Sequence, residues 1–190
     1  RGEIVAGMAE VVKHAIIRDK ELFSFLEDRL ETVIEMKIKD EQLDWLIARN
    51  ARIKANIVSS DEKEEGLRAI LNYGHTIGHA IEAATDYRRY RHGEAVILGS
   101  LVAAHIATNH NVLTQSERIR HDELWQRLGV PGGFCDIDTH KIFLRTRADK
   151  KRVDGSLRFI LMEEIGKVSI YSDVLDQDVI DAIKYVQKNY

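Results

Sequence analysis

Five polar residues, Arg68, Asn72, His75, His79 and Glu82, recur through the stretch 66–82 at steps of 4, 3, 4 and 3. That spacing predicts one helix over 66–82 with all five side chains on one face. The adjoining faces carry Leu67, Ile70, Leu71, Ile77, Ala80 and Ile81, enough to bury the helix on both sides of the polar stripe. Gly74 and Gly78 lie inside it. Each costs about 1 kcal/mol relative to alanine in a helix interior, so close backbone packing or an approaching ligand is expected to offset them. A buried helix with two imidazoles in such a stripe reads as the wall of a site.

Two other segments can face that wall. Residues 2–18 predict an apolar helix on which Glu10 and Lys13, three apart, share a face with His14 beside them. On an open surface the pair would be an ordinary salt bridge. Val5, Met8, Val11, Val12, Ile16 and Ile17 surround it, however, and predict burial, where a charge needs a partner. His92 opens a later helix and can point back towards 66–82. Glu10, His75 and His92 then offer one carboxylate and two imidazoles from three helices, a donor set for a catalytic divalent metal with positions left for substrate oxygens. His75 with His79, one turn apart on one face, is an alternative ligand pairing, and the sequence does not rank the two. The zinc-protease pattern His-Glu-x-x-His is absent, because Thr76 follows His75. There is no glycine-rich phosphate loop, dinucleotide fingerprint or nucleophile elbow. Lys13, Lys54, Arg68 and Lys150 or Lys151 exceed the needs of a metal site and suit an anionic substrate carrying phosphate and carboxylate.

The elements that must position these groups are mostly helical. At 190 residues and 44% hydrophobic, residues 1–190 can bury a core as one domain. A net charge of −3 with interspersed signs leaves no basic footprint for nucleic acid and no membrane-surface bias. No apolar run approaches the roughly 18 residues of a membrane span. Cys135 is the single cysteine, so no internal disulfide forms and a reducing, cytoplasmic setting is expected. The chain opens on Arg1 in mid-helix style, as a piece of a longer protein would.

In order, 19–38 predicts one or two short amphipathic helices. Asp40 is expected to cap a helix to about 58 whose apolar side runs Leu43, Ile47, Ala51 and Val58. Lys54 falls on that side, either snorkelling to water or aimed into a pocket. A charged connector, 59–66, leads into the central stretch. A helix runs from His92 to about His110, and Thr114-Gln-Ser-Glu opens another to 128 before Gly129-Val130-Pro131. Asp138 or Thr139 starts a helix to about Arg147. After a basic loop, strands at 156–163 and 167–171 form a hairpin with Gly166 in its turn, and Asp176 starts a last helix to about Lys188. His105, His110, His121 and His140 are assigned to packing or surface.

A family resemblance rests on linked motifs. Gly7-Met8-Ala9-Glu10-Val11-Val12-Lys13, Lys54 ahead of Asp61-Glu62-x-Glu64-x-Gly66-Leu67-Arg68, Leu71-Asn72-x-Gly74-His75-Thr76-x-Gly78-His79-Ala80-Ile81-Glu82, and His92-Gly93-Glu94-Ala95-Val96 closely resemble the 3-dehydroquinate synthases. Asp149-Lys150-Lys151 and the hairpin fit the same pattern, which spans nearly the whole chain but only the C-terminal helical domain of that family. The resemblance implies a mainly α, multi-helix fold with one small β-hairpin, without the N-terminal α/β domain that holds most of the NAD site. It implies conversion of 3-deoxy-D-arabino-heptulosonate 7-phosphate to 3-dehydroquinate in the shikimate pathway. The route is transient oxidation by NAD, phosphate elimination, reduction and intramolecular aldol closure. By motif, Glu10, His75 and His92 would hold zinc (or cobalt). Lys13, Lys54, Arg68, Asn72 and His79 would bind and act on substrate, Glu64 would help orient it, and Lys150 or Lys151 would reach the phosphate. A homodimer follows from the resemblance alone, as does inactivity of this segment without its nucleotide domain. The other readings are a sister cyclase of the 2-deoxy-scyllo-inosose synthase type, a metal-dependent polyol dehydrogenase, or a non-enzymatic helical interaction domain.

Overall fold

A computed structural model of the chain describes residues 2–61, 66–149 and 157–190. Glu64, Lys150 and Lys151 lie outside the described residues. In chain order the elements are α1 (Gly2–Arg18), α2 (Lys20–Ile34), α3 (Asp40–Ser60), a 3-10 turn (Leu67–Asn72), α4 (His75–Ala84), α5 (His92–Asn109) and α6 (Gln115–Leu128). There follow a short 3-10 turn (Phe134–Asp136), α7 (Thr139–Asp149), β1 (Phe159–Glu164), β2 (Lys167–Tyr171) and α8 (Asp176–Asn189). The mainly helical fold with one hairpin is the architecture expected.

The molecule is assembled around α5. Every residue from Ala95 to Ala107 is buried, as a helix that is apolar all round requires. α1, α4, α6, α8 and β1 all pack on it. The hairpin is antiparallel, with Phe159 opposite Tyr171 and Leu161 opposite Ser169. Gly166 (φ +87°) makes its turn, and the Gly166 N–H donates to the Ile16 carbonyl at 2.8 Å, tying the hairpin to the end of α1.

One local expectation is met in its simpler form, and two change. Residues 19–38 hold one helix, α2, capped by Asp19, whose carboxylate accepts the Leu22 N–H at 2.9 Å. The N-cap of α3 is Lys39 rather than Asp40, which is already helical and acts instead as first-turn negative charge. The buried stripe of α3 is Leu46, Ile53 and Ile57, and Ile47 is exposed. Its inward face also carries polar groups: Arg49 bonds Asp19 at 2.5 and 2.9 Å, and Asn50 bonds His14 at 2.6 Å. Apolar periodicity therefore misjudged the helix rotation.

The histidines assigned to packing differ from one another. His121 is fully buried; its Nδ1–H donates to Asp122 at 2.7 Å while its Nε2 accepts the Trp125 indole N–H at 3.0 Å. An indole N–H can only donate, which fixes this tautomer. His105 stacks on Tyr185 with centroids 3.9 Å apart, and its Nδ1 is buried without a hydrogen bond. Burial, helped by the Arg118 charge, lowers its pKa to about 4. The unfolded chain thus binds a proton at higher pH than the native one. This part of the stability is intact above pH 6.5 and is lost as pH falls from there towards 4. His105→Phe keeps the stacking and removes the titration. Urea unfolding at pH 7 and pH 4.5 is expected to show the parent losing about 1–2 kcal/mol more than the variant over that interval. Parallel losses would refute the assignment.

Candidate metal and substrate site

The central stretch is not one helix. Leu67–Asn72 winds as a 3-10 turn, Tyr73 is extended, Gly74 adopts φ +77°, and α4 begins only at His75. Two anchors impose the break. Asp61 Oδ2 accepts the N–H groups of Gly66 (2.8 Å) and Arg68 (2.9 Å), starting the turn after α3. The Tyr73 ring, fully buried, reaches His121 Nε2 with its hydroxyl at 3.0 Å. Arg68 and Asn72 therefore belong to the turn, and His75, His79 and Glu82 to the helix.

Glycine backbones set how closely the helices meet. A Cβ on Gly99 would collide with the Gly74 carbonyl and sit 2.8 Å from the Gly78 nitrogen; a Cβ on Gly78 would lie 3.1 Å from the Ala95 carbonyl. At the other crossing, a Cβ on Gly93 would come within 2.6 Å of the Ala6 Cα. α4 and α1 thus both touch α5 backbone to backbone beside His92. The predicted role of close packing at Gly78 holds, and Gly74 serves a turn as well.

The result is a compact cluster. His75 Nε2 and His92 Nε2 lie 3.2 Å apart, and Glu10 Oε1 is 3.8 and 3.9 Å from them. Nδ1–H of His75 donates to the Tyr73 carbonyl at 3.0 Å, and Nδ1 of His92 faces both oxygens of the buried Glu82 carboxylate at 3.4 Å. With their Nδ1 atoms turned to these oxygens, the two rings face each other through Nε2. Burial, with the Lys13 charge, lowers the His75 pKa to about 4, so this ring is neutral at physiological pH. Glu10 Oε1 is buried with no hydrogen-bond partner, while its Oε2 accepts from Lys13 at 2.7 Å. Burial alone would raise the Glu10 pKa; the Lys13 ammonium outweighs it and the net shift is downward.

This donor set fits a divalent metal. Two nitrogens bound tetrahedrally to zinc at about 2.0–2.1 Å stand roughly 3.3 Å apart, close to the separation here. Outer hydrogen bonds to both rings fix the tautomers a metal needs, and the orphaned carboxylate oxygen lacks only a cation. His79 joins the group, since ligand atoms of His75, His79 and His92 all lie within 4.8 Å of one another. Both ligand sets read from the sequence are thus brought together.

Beside the cluster, Glu10, Lys13, Lys54, Arg68, Asn72 and His75 line one cavity of about 280 Å³. Lys13 is 3% exposed, and burial lowers its pKa despite the opposing charge of Glu10. Lys54 is exposed and lines the cavity rather than belonging to the buried face of α3. His79 and Glu82 line a neighbouring hollow of about 490 Å³ with Tyr87 and Arg145 of α7. A further hollow of about 430 Å³ between Arg18, Trp45, Arg49 and Arg52 holds no imidazole, so volume alone does not mark the site. Sequence reasoning missed Asn50, the Tyr73 carbonyl and Arg145. A backbone acceptor has no residue-type signal; Asn50 comes from a helix read for its apolar side, and Arg145 from one read only for its ends.

Residues 7–152 match the model of the 3-dehydroquinate synthase C-terminal family. The chain belongs to that family. It is 42% identical over 182 residues to the 3-dehydroquinate synthase of Caldanaerobacter subterraneus subsp. tengcongensis, an alignment covering 96% of this chain and 50% of the relative. A solved 2-deoxy-scyllo-inosose synthase complexed with carbaglucose-6-phosphate, NAD+ and Co2+ superposes with a TM-score of 0.79 at 31% identity, over 96% of this chain and 52% of that one. The 2-epi-5-epi-valiolone synthase of Streptomyces hygroscopicus subsp. jinggangensis, with NAD+ and Zn2+ bound, gives 0.88 at 22% identity over 98% and 52% of the two chains, which speaks to the fold alone. The chain spans about half the length of each of these three proteins.

Proposed function

We propose that this segment is the metal- and substrate-binding domain of a 3-dehydroquinate synthase, a phosphate-eliminating lyase acting on 3-deoxy-D-arabino-heptulosonate 7-phosphate with NAD and a divalent metal, zinc or cobalt. The observation that carries the reading is the buried, unpartnered Glu10 Oε1 facing two imidazole nitrogens at the edge of a cavity lined with cations. Glu10, His75 and His92 would hold the metal, which when bound supplies Lewis acidity to the hydroxyl being oxidised. NAD, bound mostly outside this segment, supplies the transient hydride acceptor. Lys13, Lys54, Arg68 and Asn72 bind the carboxylate and hydroxyls; ammonium and guanidinium groups match those oxygens and hold the ring against the metal site. His79, in the adjoining hollow, moves a proton at the phosphate end, where Lys150 or Lys151 and Glu64 are assigned by family resemblance.

The reading makes the protein a cytoplasmic homodimer with no membrane or nucleic-acid partner. Its supports are the unpaired Cys135, the net charge of −3 and, for the dimer, family resemblance. Among the described residues no helix is long and apolar enough to cross a membrane. Arg68 and Asn72 together favour a carboxylated substrate over the uncharged ring of the inosose synthases.

The test joins residues 1–190 to the nucleotide-binding half and loads the protein with NAD and zinc. Phosphate release from 3-deoxy-D-arabino-heptulosonate 7-phosphate, and none from glucose 6-phosphate, is expected. The reverse preference would assign a sister cyclase. Residues 1–190 alone should bind zinc and release no phosphate; turnover by the segment would overturn the division of labour.

A further inference from the structure

We infer that His14, held by Asn50, is a further substrate-contacting residue whose Nε2 accepts a hydrogen bond from a substrate hydroxyl in the cavity between α1, α3 and the 3-10 turn. The inference rests on the function proposed above and adds to it a specificity determinant.

His14 lies one helical turn beyond Glu10 and is only 4% exposed, yet its ring lines the same cavity as Lys13, Lys54, Arg68 and Asn72. Its Nδ1 is 2.6 Å from Asn50 Oδ1. An amide oxygen only accepts, so Nδ1 carries the proton and Nε2 carries the lone pair. Among the described residues no group hydrogen-bonds that Nε2, and it is not among the sealed-off polar atoms without partners, so it meets the cavity. Burial and the neighbouring Lys13 charge favour the neutral ring.

The chemistry of the cavity gives this nitrogen its use. Lys13, Lys54 and Arg68 can only donate hydrogen bonds. They match carboxylate and phosphate oxygens but cannot receive a hydroxyl hydrogen. Glu10 is engaged by Lys13 through Oε2 and faces the imidazoles through Oε1. Asn72 offers one amide oxygen in this cavity, and a substrate with several hydroxyls uses a further uncharged acceptor; His14 is one, oriented in advance by α3. A site built to bond a hydroxyl rejects analogues that lack it far better than an apolar wall does.

The experiment measures phosphate release from 3-deoxy-D-arabino-heptulosonate 7-phosphate by the two-domain polypeptide loaded with NAD and zinc. His14→Phe and His14→Leu both delete the acceptor while filling the space, so one of them serves if the other fails to fold. Either is expected to raise KM on the order of 10-fold, the worth of one hydrogen bond, with kcat within threefold. His14→Gln, which retains an acceptor oxygen, should recover most of the loss. Asn50→Leu should raise KM by less, and its penalty should vanish in the His14→Leu background, as coupling through the imidazole demands and simple packing does not. KM within twofold of the parent in the well-folded Phe or Leu variant, or full additivity of the Asn50 penalty, overturns the contact while leaving the function standing. An unsubstituted protein that releases no phosphate from this substrate overturns both.

Discussion

Glu10→Gln is expected to weaken zinc binding by on the order of 100-fold or more, because loss of even an outer-shell partner of a metal site commonly costs 10–100-fold. The substitution preserves size and the helix of α1 but exchanges the anionic oxygen, which stands 3.8 and 3.9 Å from the two Nε2 atoms, for a neutral amide. It also removes the negative partner of Lys13, 2.7 Å away and 3% exposed. The ammonium is then less well tolerated, and a cation beside it faces repulsion with no compensating charge. His92→Ala should match the loss, since it removes one of the facing lone pairs. Glu82→Gln should cost about 10-fold, because it withdraws only the carboxylate that orients His92. His79 separates the two ligand sets. If Glu10 is the third ligand, His79→Gln leaves affinity within threefold; a loss as large as that of Glu10→Gln would transfer the role to His79. Competition with a chromophoric chelator reads each dissociation constant, and the cobalt absorption spectrum reports the coordination independently.

How far the sequence could be read follows from the kind of signal each feature leaves. α5 was legible because a run of Ala, Val, Leu and Ile with no polar face has no option but burial. The hairpin was legible from β-branched residues on either side of Gly166. The convergence of the candidate residues was legible from types and spacings: Lys13, Lys54, Arg68 and Asn72 line one cavity, and His75, His79 and His92 come together. Their geometry was not. The polar stripe predicted for 66–82 is split by a turn at Tyr73–Gly74, because Tyr73 is drawn into the core towards His121, 48 positions along the chain. No local periodicity contains that contact. The rotation of α3 failed for a similar reason, since Arg49 and Asn50 turn inward to meet Asp19 and His14 rather than water.

Gly99→Ala is expected to be strongly destabilising for a single added methyl. Gly99 sits in the middle of α5 with a helical backbone, so alanine would ordinarily add about 1 kcal/mol of stability there. Here the added Cβ would strike the Gly74 carbonyl and press on the Gly78 nitrogen, backbone atoms that have no rotamer to adopt. Relief requires α4 to move away from α5 as a body. Overpacking typically costs 1–3 kcal/mol, and a backbone-on-backbone collision belongs at the upper end, about 3 kcal/mol net. That corresponds to a fall in melting temperature of roughly 6–12 °C for a chain this size. The same movement carries His75 from His92, whose Nε2 atoms stand 3.2 Å apart across this very interface. Zinc affinity should therefore fall by on the order of 10-fold, although the substituted residue touches no ligand. A control lies one helical turn from the crossing. Ala103→Gly on the same helix removes a buried methyl and should lower stability by about 1–2 kcal/mol while leaving zinc affinity unchanged. If Gly99→Ala melts lower but binds zinc like the parent, the glycine contacts set stability alone, and the ligand spacing must be held by the outer hydrogen bonds to Tyr73 and Glu82.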